Sequence, residues 1–139
     1  MVVKVTEKNI QREVYSCRQP VLVEFYEPWC PKCAMMEDVL RDFSETHREI
    51  KVCQINAGRE IQLTDQYGIE KVPAFVAFRG GRPVGVVVGA VSSRILLELC
   101  SADGSSDTKY NLSMAENGNY SAMHLGFSQL TLLYRRLRG

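Results

Sequence analysis

Val21-Leu22-Val23-Glu24-Phe25-Tyr26 is an apolar run broken by a single carboxylate, and it leads through Glu27-Pro28 into Trp29-Cys30-Pro31-Lys32-Cys33. The run is too continuous for a half-exposed strand, so it reads as a central strand covered on both faces. From Ala34 to Glu49 the pattern changes. Met35, Val39 and Phe43 recur every four residues with Met36 and Leu40 beside them, while Glu37, Asp38, Arg41, Asp42 and Glu45 fill the other face. This is the spacing of an amphipathic helix. A strand followed by a helix puts the two cysteines at the turn between them, where the helix's unpaired N–H groups gather.

Two thiols one helical turn apart can close a small ring with little backbone movement, so the pair can cycle between dithiol and disulfide. The helix N-terminus favours a thiolate there. Cys30 is therefore the expected nucleophile. Cys33, one turn further in and less exposed, is the expected resolving thiol, which attacks the mixed disulfide at Cys30 and releases the reduced partner.

The rest of the chain alternates in the same way. Val2–Val5 reads as a strand, and Thr6 caps a helix over about 7–17 with Ile10 and Val14 facing the core. Further strands are expected at Ile50–Asn56 and Ala74–Phe78, with a short helix over 59–67 closed by Gly68. Arg79-Gly80-Gly81-Arg82 is a hairpin signal before a returning strand, Pro83–Val88. Ser92 caps a last helix with Ile95, Leu96 and Leu99 on its buried stripe. The order βαβαβαββα implies an α/β fold, a central mixed β-sheet with helices on both faces.

With 139 residues and a formal net charge of +1, the chain has the size and balance of an ordinary globular domain, and no nucleic-acid partner follows from so neutral a charge. The longest apolar stretch, Val84–Val91, is too short to span a bilayer, and Met1–Val5 lacks the h-region of a signal peptide, so a cytoplasmic protein without a membrane partner is expected. Among the five cysteines, Cys17, Cys53 and Cys100 are scattered and read as small buried hydrophobes. A structural zinc site needs a second Cys or His pair, which the sequence lacks, so no metal is expected.

Residues 2–100 resemble the thioredoxin family. The features agree in register: Val-Glu-Phe-Tyr-Glu-Pro-Trp-Cys with a second cysteine three residues on, Tyr67-Gly68-Ile69 before Val72-Pro73, Phe78 before the glycine turn, and Val88-Gly89-Ala90 before the last helix. The resemblance implies a thioredoxin fold and a thiol-disulfide oxidoreductase that reduces protein disulfides by dithiol exchange, without a bound cofactor. It also implies a monomer recharged by a flavin-dependent thioredoxin reductase. By the same resemblance Pro73 matches a proline that is cis in the family and faces the cysteines, leaving the backbone of Val72 to pair with a substrate peptide. Trp29, Pro31, Lys32 and Gly89 complete the substrate side. Glu24 matches the family's buried acid and should have a raised pKa, suiting it to take the proton of Cys33. A disulfide oxidase or isomerase, and a non-catalytic interaction module of the same fold, are the alternatives.

Three departures from the family pattern carry their own expectations. Pro31-Lys32 replaces Gly-Pro between the cysteines. Proline suits a first helical turn and Lys32 favours the thiolate, so the pair should be more oxidising than a usual thioredoxin's. Asp38 stands where many members have a helix-kinking proline, which predicts a straighter helix. Gln54 replaces a lysine near the buried acid, which should raise the pKa of Glu24 further. Beyond residue 100, Ser101–Ser121 is rich in Ser, Asp, Asn and Gly and reads as a flexible linker. Phe127, Leu130, Leu133, Tyr134 and Leu137 have the spacing of a short C-terminal helix, so 101–139 is expected to lie outside the folded domain.

Overall fold

The computed structural model of the chain describes residues 1–101 in full, together with the backbone of 108–114 and 120–126. Along the chain lie β1 (Val2–Lys4), a helical turn (Gln11–Tyr15), β2 (Val21–Tyr26), α1 (Pro31–Thr46), β3 (Lys51–Asn56), α2 (Ile61–Gln66), β4 (Ala74–Arg79), β5 (Arg82–Val88), α3 (Ser93–Cys100), β6 (Thr108–Met114) and β7 (Tyr120–Gly126). The sheet order is β1-β3-β2-β4-β5-β6-β7. Strand β3 runs parallel to both β1 and β2, while β4 is antiparallel to β2 and β5 to β4. The sheet is therefore mixed, with β2 an interior strand between β3 and β4, as its composition requires.

Two apolar layers cover the sheet. Val21, Val23 and Phe25 of β2 pack with Ile10, Val14, Leu63 and Tyr67 on one face. Leu22 packs with Met36, Leu40 and Phe43 of α1 and with Leu96 and Leu99 of α3 on the other. Because successive strand residues take opposite faces, Glu24 shares the face of Leu22 and lies under α1. The same parity puts Gln54 on the face of Val52 and Lys4 on the face of Val2.

Local details follow the sequence at some positions and revise it at others. Ser92 caps α3, its hydroxyl accepting the N–H of Ile95 at 3.4 Å, and Gly68 closes α2 at φ 63°. Gly80 and Gly81, at φ 61° and 78°, make the β4–β5 turn. At Gly81 a Cβ would also sit 2.4 Å from the carbonyl oxygen of Tyr15. The first helix is shorter and wider than its spacing predicts, with Ser16 N–H reaching Gln11 O at 2.9 Å, five residues back. Ile10 and Val14 are nevertheless buried. On α1 the buried stripe is Met36, Leu40 and Phe43, whereas Met35 is 67% exposed. A step of four and then three residues keeps a single face, and Met35 lies one residue off it.

Strands β6 and β7 differ from the linker expected over 101–121. Strand β6 pairs parallel to β5, and β7 antiparallel to β6. The signal was an alternation: Tyr110, Leu112 and Met114 are spaced by two, and Asn117-Gly118 between the strands is a hairpin dipeptide. A scan for continuous apolar runs passes over such a pattern. The helix expected from Phe127 lies outside the described residues. Among the described residues, no helix is long and apolar enough to cross a membrane.

Candidate active site

Cys30 caps α1 with its own side chain. Its backbone is extended, at φ −85° and ψ 115°, Pro31 follows at the start of the helix, and Cys30 Sγ accepts the N–H of Cys33 at 3.2 Å. Caps usually use an oxygen for this bond. Here sulfur takes that place, so a helix N–H is aimed at the atom expected to attack. The thiol also reaches the carbonyl oxygen of Val72 at 3.7 Å, which ties the head of α1 to the loop before β4. The Val72–Pro73 peptide bond is cis. Gly89 supports this loop from β5's end: its N–H donates to Pro73 O at 2.8 Å, and its φ of 109° is open to glycine.

Both cysteines are free thiols and each is 5% exposed, so Cys33 is no deeper than Cys30. They differ in what they face. Cys30 opens on a groove of about 380 Å³ shared with Trp29, Ala57, Ile69, Glu70 and Val72. Cys33 opens on a separate cleft of about 360 Å³ whose lining includes Lys4, Glu24, Tyr26, Glu37 and Gln54. One sulfur thus meets the surface where a peptide can lie, and the other meets the buried acid.

Glu24 is 1% exposed. Burial is the main force on it and pushes its pKa up to about 7; the Gln54 hydrogen bond and the charge of Lys4 pull it down, and Glu37 pushes it up. Gln54 Nε2 donates to Glu24 Oε1 at 2.7 Å, while Oε2 has no hydrogen-bond partner among the described residues. A half-satisfied buried carboxyl holds its proton more tightly than a solvated one. The Cys33 thiol is pushed up to about 12, first by burial and then by its hydrogen bond with the Cys30 sulfur. Cys53 and Cys100 are also buried, and burial pushes each thiol up to about 12, which leaves them inert.

The thioredoxin family model matches residues 1–101. The chain is 37% identical over 94 residues to "Thioredoxin 1" of Nostoc sp., a match covering 67% of this chain and 88% of that protein. It is 38% identical over 85 residues to "Thioredoxin" of Alicyclobacillus acidocaldarius, covering 60% of this chain and 80% of the relative. It is also 35% identical over 99 residues to "Thioredoxin M-type, chloroplastic" of Zea mays, covering 70% and 59%.

The chain belongs to the thioredoxin family.

It is a thiol-disulfide oxidoreductase carrying the Cys30–Cys33 pair, and protein disulfides are its substrates. Of the residues the family resemblance singled out, the structure brings Trp29, Cys30 and Val72 together on the groove, with Trp29 74% exposed at its edge. Cys33 and Glu24 meet in the other cleft. Pro31 and Lys32 are exposed on the first turn of α1, and neither they, Pro73 nor Gly89 is part of the groove's lining. The role of Gly89 is accordingly in the backbone beneath the cis peptide. Helix α1 runs unbroken from Pro31 to Thr46 past Asp38, which pairs with Arg41 at 2.6 Å. Sequence reasoning passed over Lys4, Tyr26 and Glu37, which share the cleft with the buried acid. Strand register brings in Lys4 and Tyr26, and the packing of α1 over the sheet brings in Glu37.

Proposed function

We propose that the protein is a cytoplasmic, monomeric reductant of disulfides in partner proteins, recharged by a flavin-dependent thioredoxin reductase. The reading rests on family membership together with one observation: Cys30 Sγ receives the N–H of Cys33 at the foot of an open groove, 3.7 Å from the backbone of Val72. Five free cysteines fit a reducing compartment.

Cys30 attacks one sulfur of the partner's disulfide, the other partner sulfur leaves as a thiolate and takes up a proton, and a mixed disulfide links Cys30 to the partner. Cys33 then loses its proton to Glu24 and attacks Cys30 Sγ. The second partner sulfur leaves as a thiolate and takes up a proton, so two electrons pass to the partner and the Cys30–Cys33 disulfide remains. The order of events is built into the proton affinities. While Cys30 is free, its sulfur helps to keep the proton on Cys33. Capping Cys30 with the partner removes that contribution, so Cys33 becomes easier to ionise only after the first step is complete.

Turbidimetric insulin reduction driven by dithiothreitol tests the reading. Cys30→Ser should fall to the uncatalysed rate, and full activity in that variant would overturn it.

A further inference from the structure

Three adjacent strands place one residue each in a single row beneath α1. Lys4 is in register with Gln54 across the β1–β3 pair, and Glu24 is in register with Gln54 across the β2–β3 pair. All three side chains take the face that α1 covers, and they are linked in sequence. Lys4 Nζ donates to Gln54 Oε1 at 2.7 Å, and Gln54 Nε2 donates to Glu24 Oε1 at 2.7 Å.

An amide side chain has one accepting and one donating end, so the chemistry of one neighbour decides which end meets the other. An ammonium can only donate. With Lys4 on the oxygen of Gln54, the NH2 group must face Glu24. Lys4 is itself held in place: its ammonium donates to Tyr26 Oη at 3.2 Å and lies 4.5 Å from the centre of that ring.

We propose that Lys4 is a positioning residue which, by fixing the orientation of the Gln54 amide, sets the proton affinity of Glu24 from the edge strand of the sheet. Lys4 is exposed and Glu24 is buried, both line the cleft, and a neutral amide stands between them. A cation placed directly on the acid would hold it ionised; one placed behind an amide lowers its proton affinity by a smaller step, leaving an acid that can both take and return a proton near neutrality. Lys4 and Gln54 act together against the burial of Glu24 and the charge of Glu37. The other titratable groups lining the cleft with Glu24 are Cys33 on α1, Tyr26 on its own strand and Glu27 in the following loop. Opposite it on β4 stands Phe75, which carries no charge.

The inference rests on the role proposed for Glu24, and its test is read on the carboxyl itself. The midpoint of the Glu24 side-chain carboxyl carbon is followed by carbon NMR in the reduced, full-length protein. Lys4→Met should raise it by about half a pH unit or more, the range expected for one exposed charge two hydrogen bonds away. Lys4→Arg should stay close to the parent. Gln54→Leu should also raise the midpoint, and adding Lys4→Met to Gln54→Leu should raise it by less than Lys4→Met does alone. An unmoved midpoint in Lys4→Met overturns the inference, as does an equal effect of Lys4→Met with and without Gln54. If the midpoint moves while the pH profile of mixed-disulfide resolution does not follow, the positioning role stands and Glu24 is not the acceptor of the Cys33 proton.

Discussion

Replacing Glu24 with glutamine should stabilise the reduced protein more at alkaline than at acid pH. Burial lifts the carboxyl from an ordinary 4.5 to about 7. Below about pH 4.5 the side chain is protonated in both folded and unfolded chains, and ionisation imposes no penalty on the fold. Between the two values the unfolded chain releases the proton while the folded one keeps it, so the parent loses stability as pH rises, and the loss levels off above about 7. At about 1.4 kcal/mol per pH unit of displacement, the full effect is about 3 kcal/mol, of which about 2.5 kcal/mol falls between pH 5 and pH 8. Glutamine does not titrate. Urea unfolding of both proteins at the two pH values, with a phosphine keeping the thiols reduced, gives the change directly. Any fixed difference in packing or hydrogen bonding cancels, as do groups common to both chains. A gap of the same size at pH 5 and pH 8 would refute a buried carboxyl that holds its proton near neutrality.

Three further outcomes follow from other parts of the structure. Gly81→Ala should destabilise the protein by about 2–3 kcal/mol in urea unfolding, because the φ of 78° and the 2.4 Å approach to Tyr15 O both oppose a Cβ. Gly80→Ala, with nothing within 4 Å, should lose less. Trp29→Ala should leave stability within about 0.5 kcal/mol, since the ring is 74% exposed, while raising the KM for a disulfide-bonded protein substrate. Glutathione equilibration should give a reduction potential above that of a usual thioredoxin, because Pro31 and Lys32 on the first turn of α1 favour the reduced form.

The interior strand β2 and the redox pair were legible because each leaves a local mark. Val21–Tyr26 is apolar without interruption except at Glu24, and Cys-x-x-Cys at the head of an amphipathic run has few other uses. The Ser92 cap and the Gly80-Gly81 turn were legible for the same reason, since each needs a particular residue at a particular backbone angle. Part of what escaped depended on partners distant in sequence. Lys4 is fifty residues from Gln54 and reads as a solvated charge until strand register brings the two together. Met35 looked like part of the core because it continues a four-residue spacing, but the sheet beneath α1 takes the stripe through Met36. Strands β6 and β7 rest on alternation within a polar stretch, where composition pointed to a linker. The wide first helix depends on hydrogen bonding five residues apart, which residue spacing does not reveal.

The most direct measurement of the central claim is a trapping experiment on the resolving step. Cys33→Ser is mixed with a peptide carrying an intramolecular disulfide, excess reagent is blocked by alkylation, and the adduct is mapped by mass spectrometry. A stable mixed disulfide on Cys30 is expected, absent from the parent protein, where Cys33 releases the peptide. An adduct on another cysteine, or release from Cys33→Ser as fast as from the parent, would contradict it.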